Sequence, residues 1–178
     1  MKAFKEFAYR AFRVLFRPFH VFYENRNGCP STEPRQEVPN DALLGLVCEK
    51  LDEGHTAVIW VKGYSMRPFI ECDRDKVKLK PVDTLCVGDA VLAQIAPGHY
   101  VLHRIIRIVG VDITLQGDGN ISGEENCRMT DVCGIVTEYI RPNRTISASD
   151  PSLRCRIRVW RMLRPIRRYL LFFYRAII

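Results

Sequence analysis

Apolar residues recur with two different periods along this chain, and the change of period divides it. From Asp41 to Glu53, the residues Leu43, Leu44, Val47 and Leu51 fall at helical spacing. Asn40 is placed to cap that helix and Gly54 to stop it. Beyond it the runs shorten and become strand-like, over 56–62, 76–81, 90–95, 100–109, 112–116 and 132–139, with Gly110 as a hairpin turn between two of them. Short strands separated by Gly/Asp turns predict a mainly β core, a partly rolled antiparallel sheet preceded by a helix. Met66 to Glu71 is expected at one edge of this sheet, with Phe69 and Ile70 lining a cleft or the core.

Helical spacing returns at the ends. From Arg154 onward, Val159, Met162, Leu163, Ile166, Tyr169, Leu170, Phe173 and Ile177 recur at three- and four-residue steps beside a parallel series of arginines. This predicts a basic amphipathic helix, interrupted near Pro165, with Trp160, Tyr169 and Tyr174 as interfacial aromatics. Phe4, Phe7, Ala11, Leu15 and Phe19 make a weaker stripe at the N-terminus. The predicted organisation is a basic arm and linker over 1–38, a β domain over 39–145, and a linker with a basic amphipathic helix over 146–178. Asn27 to Pro34 and Pro142 to Ser152 read as loops.

Charge sharpens this division. Residues 1–31 carry six Lys/Arg against two Glu, and residues 154–178 carry eight Arg and no acid. The ends sum to +12, so the body carries −5 of the total +7. Basic amphipathic arms suit an anionic membrane surface, where each nearby cation contributes about 1 kcal/mol; packing of the arms on each other or on the body is the alternative. Neither arm has the roughly 20 apolar residues of a membrane span, and the N-terminus lacks the pattern of a secretory signal. No helix-turn-helix pattern is present, so a nucleic-acid partner is not expected. The seven cysteines form no Cys-x-x-Cys pair and are odd in number. That argues against zinc and against a fully paired disulfide framework, and fits a reducing compartment. The expected location is cytoplasmic, peripheral on the inner face of the membrane, with no metal or cofactor.

The candidate chemistry lies in the body. Ser65 stands in Gly63-Tyr64-Ser65-Met66-Arg67-Pro68, followed by Gly88-Asp89, then His103-Arg104-Ile105-Ile106, then Gly117-Asp118-Gly119-Asn120. A hydroxyl becomes a useful nucleophile when a base takes its proton and a third group orients the base. Taken singly, Ser-Met-Arg-Pro reads equally as a polar turn and His103 as a histidine at the edge of the core.

Together and in this order, the four boxes resemble the type I signal peptidases and the related self-cleaving repressors, a superfamily of mostly-β serine peptidases. The resemblance covers residues 59–140. In that superfamily the base is a lysine in one branch and a histidine in another. All seven lysines here, Lys2, Lys5, Lys50, Lys62, Lys76, Lys78 and Lys80, lie at or before residue 80, whereas the lysine branch carries its base well downstream of the serine. The resemblance therefore implies the Ser–His branch, with Ser65 as nucleophile and His103 as general base. Histidine titrates near pH ~6.5 in model peptides, which suits both halves of the reaction.

For the orienting acid, the family's spacing from Asp118 lands on Glu124, so the order of candidates is Glu124, Asp118, then Glu125. Gly63, Tyr64, Met66 and Pro68 are expected to contact substrate, and backbone N–H groups around Ser65 to hold the oxyanion. The activity this implies is that of a serine-type endopeptidase processing precursor or leader peptides. Repressor-like self-cleavage is not expected, because no Ala-Gly is present and the sole Cys-Gly, Cys133-Gly134, lies inside a predicted strand. A catalytically inactive peptide-binding or membrane-surface module of the same fold is the other reading.

Overall fold

The structure, a computed structural model, describes residues 40–177. The chain divides into two units, one of residues 38–165 and one of residues 1–37 with 166–178. The N-terminal arm expected over 1–38 lies outside the described residues.

The larger unit is mainly β. Helix α1 (Asn40–Asp52) leads into strands β1 (Ala57–Trp60), β2 (Lys76–Lys80), β3 (Ala90–Ala96), β4 (His99–Val109), β5 (Asp112–Gln116), β6 (Glu125–Arg128), β7 (Val132–Arg141) and β8 (Arg144–Ser147). They form one open antiparallel sheet in the order β1-β2-β7-β3-β4-β5-β6, with β8 paired to β7. Alternation drives the outer strands: in β2, Val77 and Leu79 are buried while the three flanking lysines are half-exposed. In β3, Ala90 to Ala93 are buried in succession, as a central strand covered on both faces requires.

One face of the sheet carries a cluster of Val91, Ala93, Ile105, Ile113, Leu115, Cys127 and Val132. Helix α1 packs at β7, where Leu51 Cδ1 lies 2.7 Å from the position a Gly134 Cβ would take. A larger residue at 134 would have to displace the Leu51 side chain.

Helix α2 (Pro151–Met162) closes the unit. Asp150 caps it, its Oδ1 accepting the Leu153 N–H at 2.9 Å, and Pro151 fills the first turn. Leu153, Ile157 and Trp160 recur every three or four residues and are buried. Trp160 meets Phe69 edge to face, with ring centroids 6.3 Å apart. A short 3-10 turn over Arg164–Ile166 follows, at the break expected around Pro165. Helix α3 (Arg167–Ile177) belongs to the other unit; Arg167, Leu171 and Tyr174 are buried, and Arg168, Tyr169 and Phe172 are exposed. The C-terminal stretch expected as one arm is thus two helices, of which α2 belongs to the sheet-bearing unit. No helix among the described residues is long and apolar enough to cross a membrane.

Candidate active site

Ser65 sits on the loop between β1 and β2. Gly63 opens it with φ +84°, and the Gly63 N–H donates to Cys72 Sγ at 3.2 Å. The Arg67 N–H returns to the Tyr64 carbonyl at 3.2 Å, and the N–H groups of Phe69 and Ile70 return to that of Met66. Among the described residues, the N–H groups of Ser65 and Met66 take no part in these backbone bonds.

The connection from β5 to β6 presses on this loop. The Gly119 N–H donates to the Ser65 carbonyl at 2.7 Å. A Cβ on Gly117 would lie 2.5 Å from the Ser65 carbonyl oxygen and 3.0 Å from Ser65 Cβ, and one on Gly119 would lie 2.8 Å from the Tyr64 carbonyl oxygen. The two glycines therefore allow a close backbone approach that any side chain would block. Between them, Asp118 points away into the interior.

Asp118 is taken by Arg104. The Arg104 Nε–H donates to both carboxylate oxygens at 2.9 Å, and Nη2 to Oδ2 at 2.6 Å. Nη1 donates to the Gly88 carbonyl at 2.8 Å, and the Asp118 carbonyl accepts the Trp160 indole N–H at 2.9 Å. Burial disfavours the Arg104 charge, but the attraction and hydrogen bonds of Asp118 and Tyr139 together outweigh it and hold the guanidinium above its ordinary range. The four sequence boxes are thus one connected body: Ser65 on Gly117 and Gly119, Asp118 on Arg104, Arg104 on Gly88.

His103 precedes Arg104 on β4 and faces the other way. Its Nδ1 lies 2.9 Å from Glu125 Oε2. The imidazole is only 7% exposed and the carboxylate 26%, so the pair lies at the rim of the apolar face. Register explains the meeting. Leu115 pairs with Ile105 on one side and with Glu125 on the other, which puts His103, Ile105, Leu115, Glu125 and Cys127 on one face.

The same register, continued one residue beyond the Arg104–Gln116 pair, sets Gly117 opposite His103. Directly opposed Cβ positions in such a ladder are about 5 Å apart, and Ser65 Cβ occupies the space a Gly117 side chain would fill. This register puts Ser65 against Gly117 on the face of the sheet that carries His103. No hydrogen bond joins Ser65 and His103 among the described residues. With Nδ1 on Glu125, Nε2 is the nitrogen available to accept a proton.

The order of acids expected from spacing is not the order of contact. Glu124 ion-pairs with Arg164, both half-exposed at the surface. Asp118 is committed to Arg104, and Glu125, the third candidate, meets His103. Alternation is the reason: in β6, Glu125 shares a face with buried Cys127. The missing signal was β6 itself, whose Glu-Asn-Cys-Arg sequence offers a single apolar residue. The residues expected to contact substrate also divide. Tyr64 is exposed, with the Arg67 guanidinium 4.1 Å above its ring. Met66 and Pro68 are buried, which limits any substrate contact there to their backbone. Arg104 and Trp160 hold the site together and were not among the expected site residues. Comparison with protein-family models and with curated proteins gives no match.

Proposed function

We propose that this chain is a serine endopeptidase with a signal-peptidase-like fold, cutting precursor or leader peptides with Ser65, His103 and Glu125. The observation that carries this reading is the contact of the Ser65 backbone with Gly117 and Gly119, beside a histidine whose far nitrogen is fixed by a carboxylate.

In this reading Ser65 Oγ attacks the scissile carbonyl carbon as its proton passes to His103 Nε2. The N–H groups of Ser65 and Met66 are the oxyanion donors. His103 then protonates the amide nitrogen, the C–N bond breaks, and the amine leaves an acyl ester on Ser65. Water, deprotonated by His103, attacks that ester; the acid product departs and the proton returns to Ser65. Glu125 holds the imidazole in the tautomer this requires and balances its charge while it carries the extra proton. A location at the inner membrane face belongs to the same proposal and rests on the arginine-rich helices.

The test is incubation of the full chain with a peptide library and mass-spectrometric reading of the products. Wild type is expected to yield defined cleavage sites that disappear in Ser65→Ala and His103→Ala. Identical patterns from wild type and Ser65→Ala would sink the reading. The lack of a Ser65–His103 hydrogen bond favours a second one, a peptide-binding module on the same cleft. In that case wild type and Ser65→Ala bind peptide equally and neither cleaves.

A further inference from the structure

On the sheet face away from His103, three arginines of α2 converge over the Gly88-Asp89 turn. Arg154, Arg158 and Arg161 stand at spacings of four and three, so they share one side of the helix. With Arg104 and Tyr139 they line a cavity of about 90 Å³. Like charges at such spacing repel one another, so their partners decide what the cavity is for.

Arg104 is neutralised by Asp118. Arg154 reaches Asp89 Oδ1 at 3.4 Å, while Asp89 Oδ2 accepts the Cys86 N–H. Arg161 ends on the Ile106 carbonyl at 3.3 Å, and its Nη1 lies 3.9 Å from where a Gly88 Cβ would be. Arg158 has no carboxylate among the described residues. Two positive charges in the lining, those of Arg158 and Arg161, therefore lack an anion.

We propose that this cavity is a binding site for a phosphate group. A phosphate monoester carries about −1.5 to −2 charge at neutral pH, matching the two uncompensated guanidinium groups. Its oxygens can accept from donors arriving from several directions. A carboxylate supplies half that charge. Gly88, at φ +107°, shapes the turn beneath Arg161, and the buried Arg104–Asp118 pair lies in the floor. The source of the phosphate is a small soluble phosphate or the headgroup of an anionic lipid. The same chemistry serves either, and the site does not depend on peptidase activity.

The experiment uses the full chain and two probes: inorganic phosphate by titration calorimetry, with chloride at equal ionic strength as reference, and phosphatidylcholine vesicles containing phosphatidic acid by co-sedimentation. Arg158→Gln and Arg161→Gln are compared with Arg128→Gln, an exposed arginine at the end of β6, outside the cavity and outside the arginine-rich helices, that controls for lost charge. Saturable phosphate binding, weakened about tenfold by each cavity variant and unchanged in the control, would establish the site. If only vesicle binding falls in the cavity variants, the site takes lipid phosphate; if only calorimetric binding falls, it takes soluble phosphate. Equal behaviour of all three variants towards both probes overturns the proposal, as does equal binding in chloride. Thermal unfolding of each variant verifies that the fold is retained.

Discussion

His103 and Arg104 are consecutive on one strand, each meets a carboxylate, and the two pairs have opposite physical characters. Arg104 is 1% exposed and its Asp118 partner 3%, with several hydrogen bonds and an added carbonyl acceptor. His103 shares a single contact with a carboxylate that is a quarter exposed. Strand alternation sends one side chain beneath α2 and the other to the rim beside Ser65. A buried, saturated ion pair holds fixed charges and has no room for a proton to move. A histidine held at one nitrogen keeps the other for chemistry. The comparison separates a pair whose polar atoms are taken up inside the fold from one that leaves a ring nitrogen uncommitted at the rim, although the sequence places them side by side.

The largest expected effect breaks the buried pair. Asp118→Ala leaves the Arg104 charge without its partner and is expected to cost about 3–5 kcal/mol, read as a lower urea midpoint at unchanged slope. A loss below about 1 kcal/mol would mean the pair is solvated and the contrast with His103 is false. The second effect falls mainly on function. Glu125→Gln removes one contact at the rim, so stability should change by less than about 1.5 kcal/mol. Turnover under the proposed mechanism should fall about 100-fold or more, with partial return in Glu125→Asp. Equal turnover in Glu125→Gln and wild type would leave His103 without an orienting acid here.

The glycine on which Ser65 rests gives a third effect, smaller on stability than that of Asp118→Ala. Gly117→Ala sets a Cβ 2.5 Å from a backbone oxygen, where no rotamer can relieve the clash. The expected cost is about 1–3 kcal/mol, together with reduced turnover because Ser65 shifts away from His103. A variant as stable and active as wild type would contradict the close approach.

Much of this fold could be read from the chain, and the unread parts share a cause. The helix at Asn40–Asp52 and six strands carry enough apolar residues to show their period. Strand β6 has Cys127 as its buried residue and β8 has Ile146, so neither shows an alternation, and the β8 sequence has the pattern of a loop. The start of α2 was hidden by residues that resemble a loop, although Asp150 followed by Pro151 is also a helix-start pattern. At the candidate site, the order of the boxes points to Ser65, His103 and the glycine turn, and the structure sets Ser65 against Gly117 and Gly119. The acid could not, because spacing along the chain does not carry facing: Glu124 and Glu125 are adjacent, and only the pairing of β6 with β5 decides which one looks at His103.

That pair of glutamates gives the smallest and most discriminating effect. Glu124 meets Arg164 at the surface, where water screens both charges and the contact is worth about 0–1 kcal/mol. Glu124→Gln should therefore leave the unfolding midpoint nearly unchanged, and any shift should vanish in high salt. Turnover should match wild type, while Glu125→Gln, with the same chemical change one residue later, loses most of it. The two substitutions alter net charge and volume identically, so a difference between them reports orientation alone. Equal losses would assign the effect to charge near the cleft. A loss confined to Glu124→Gln would restore the residue that spacing favours and imply that β6 pairs one residue out of register.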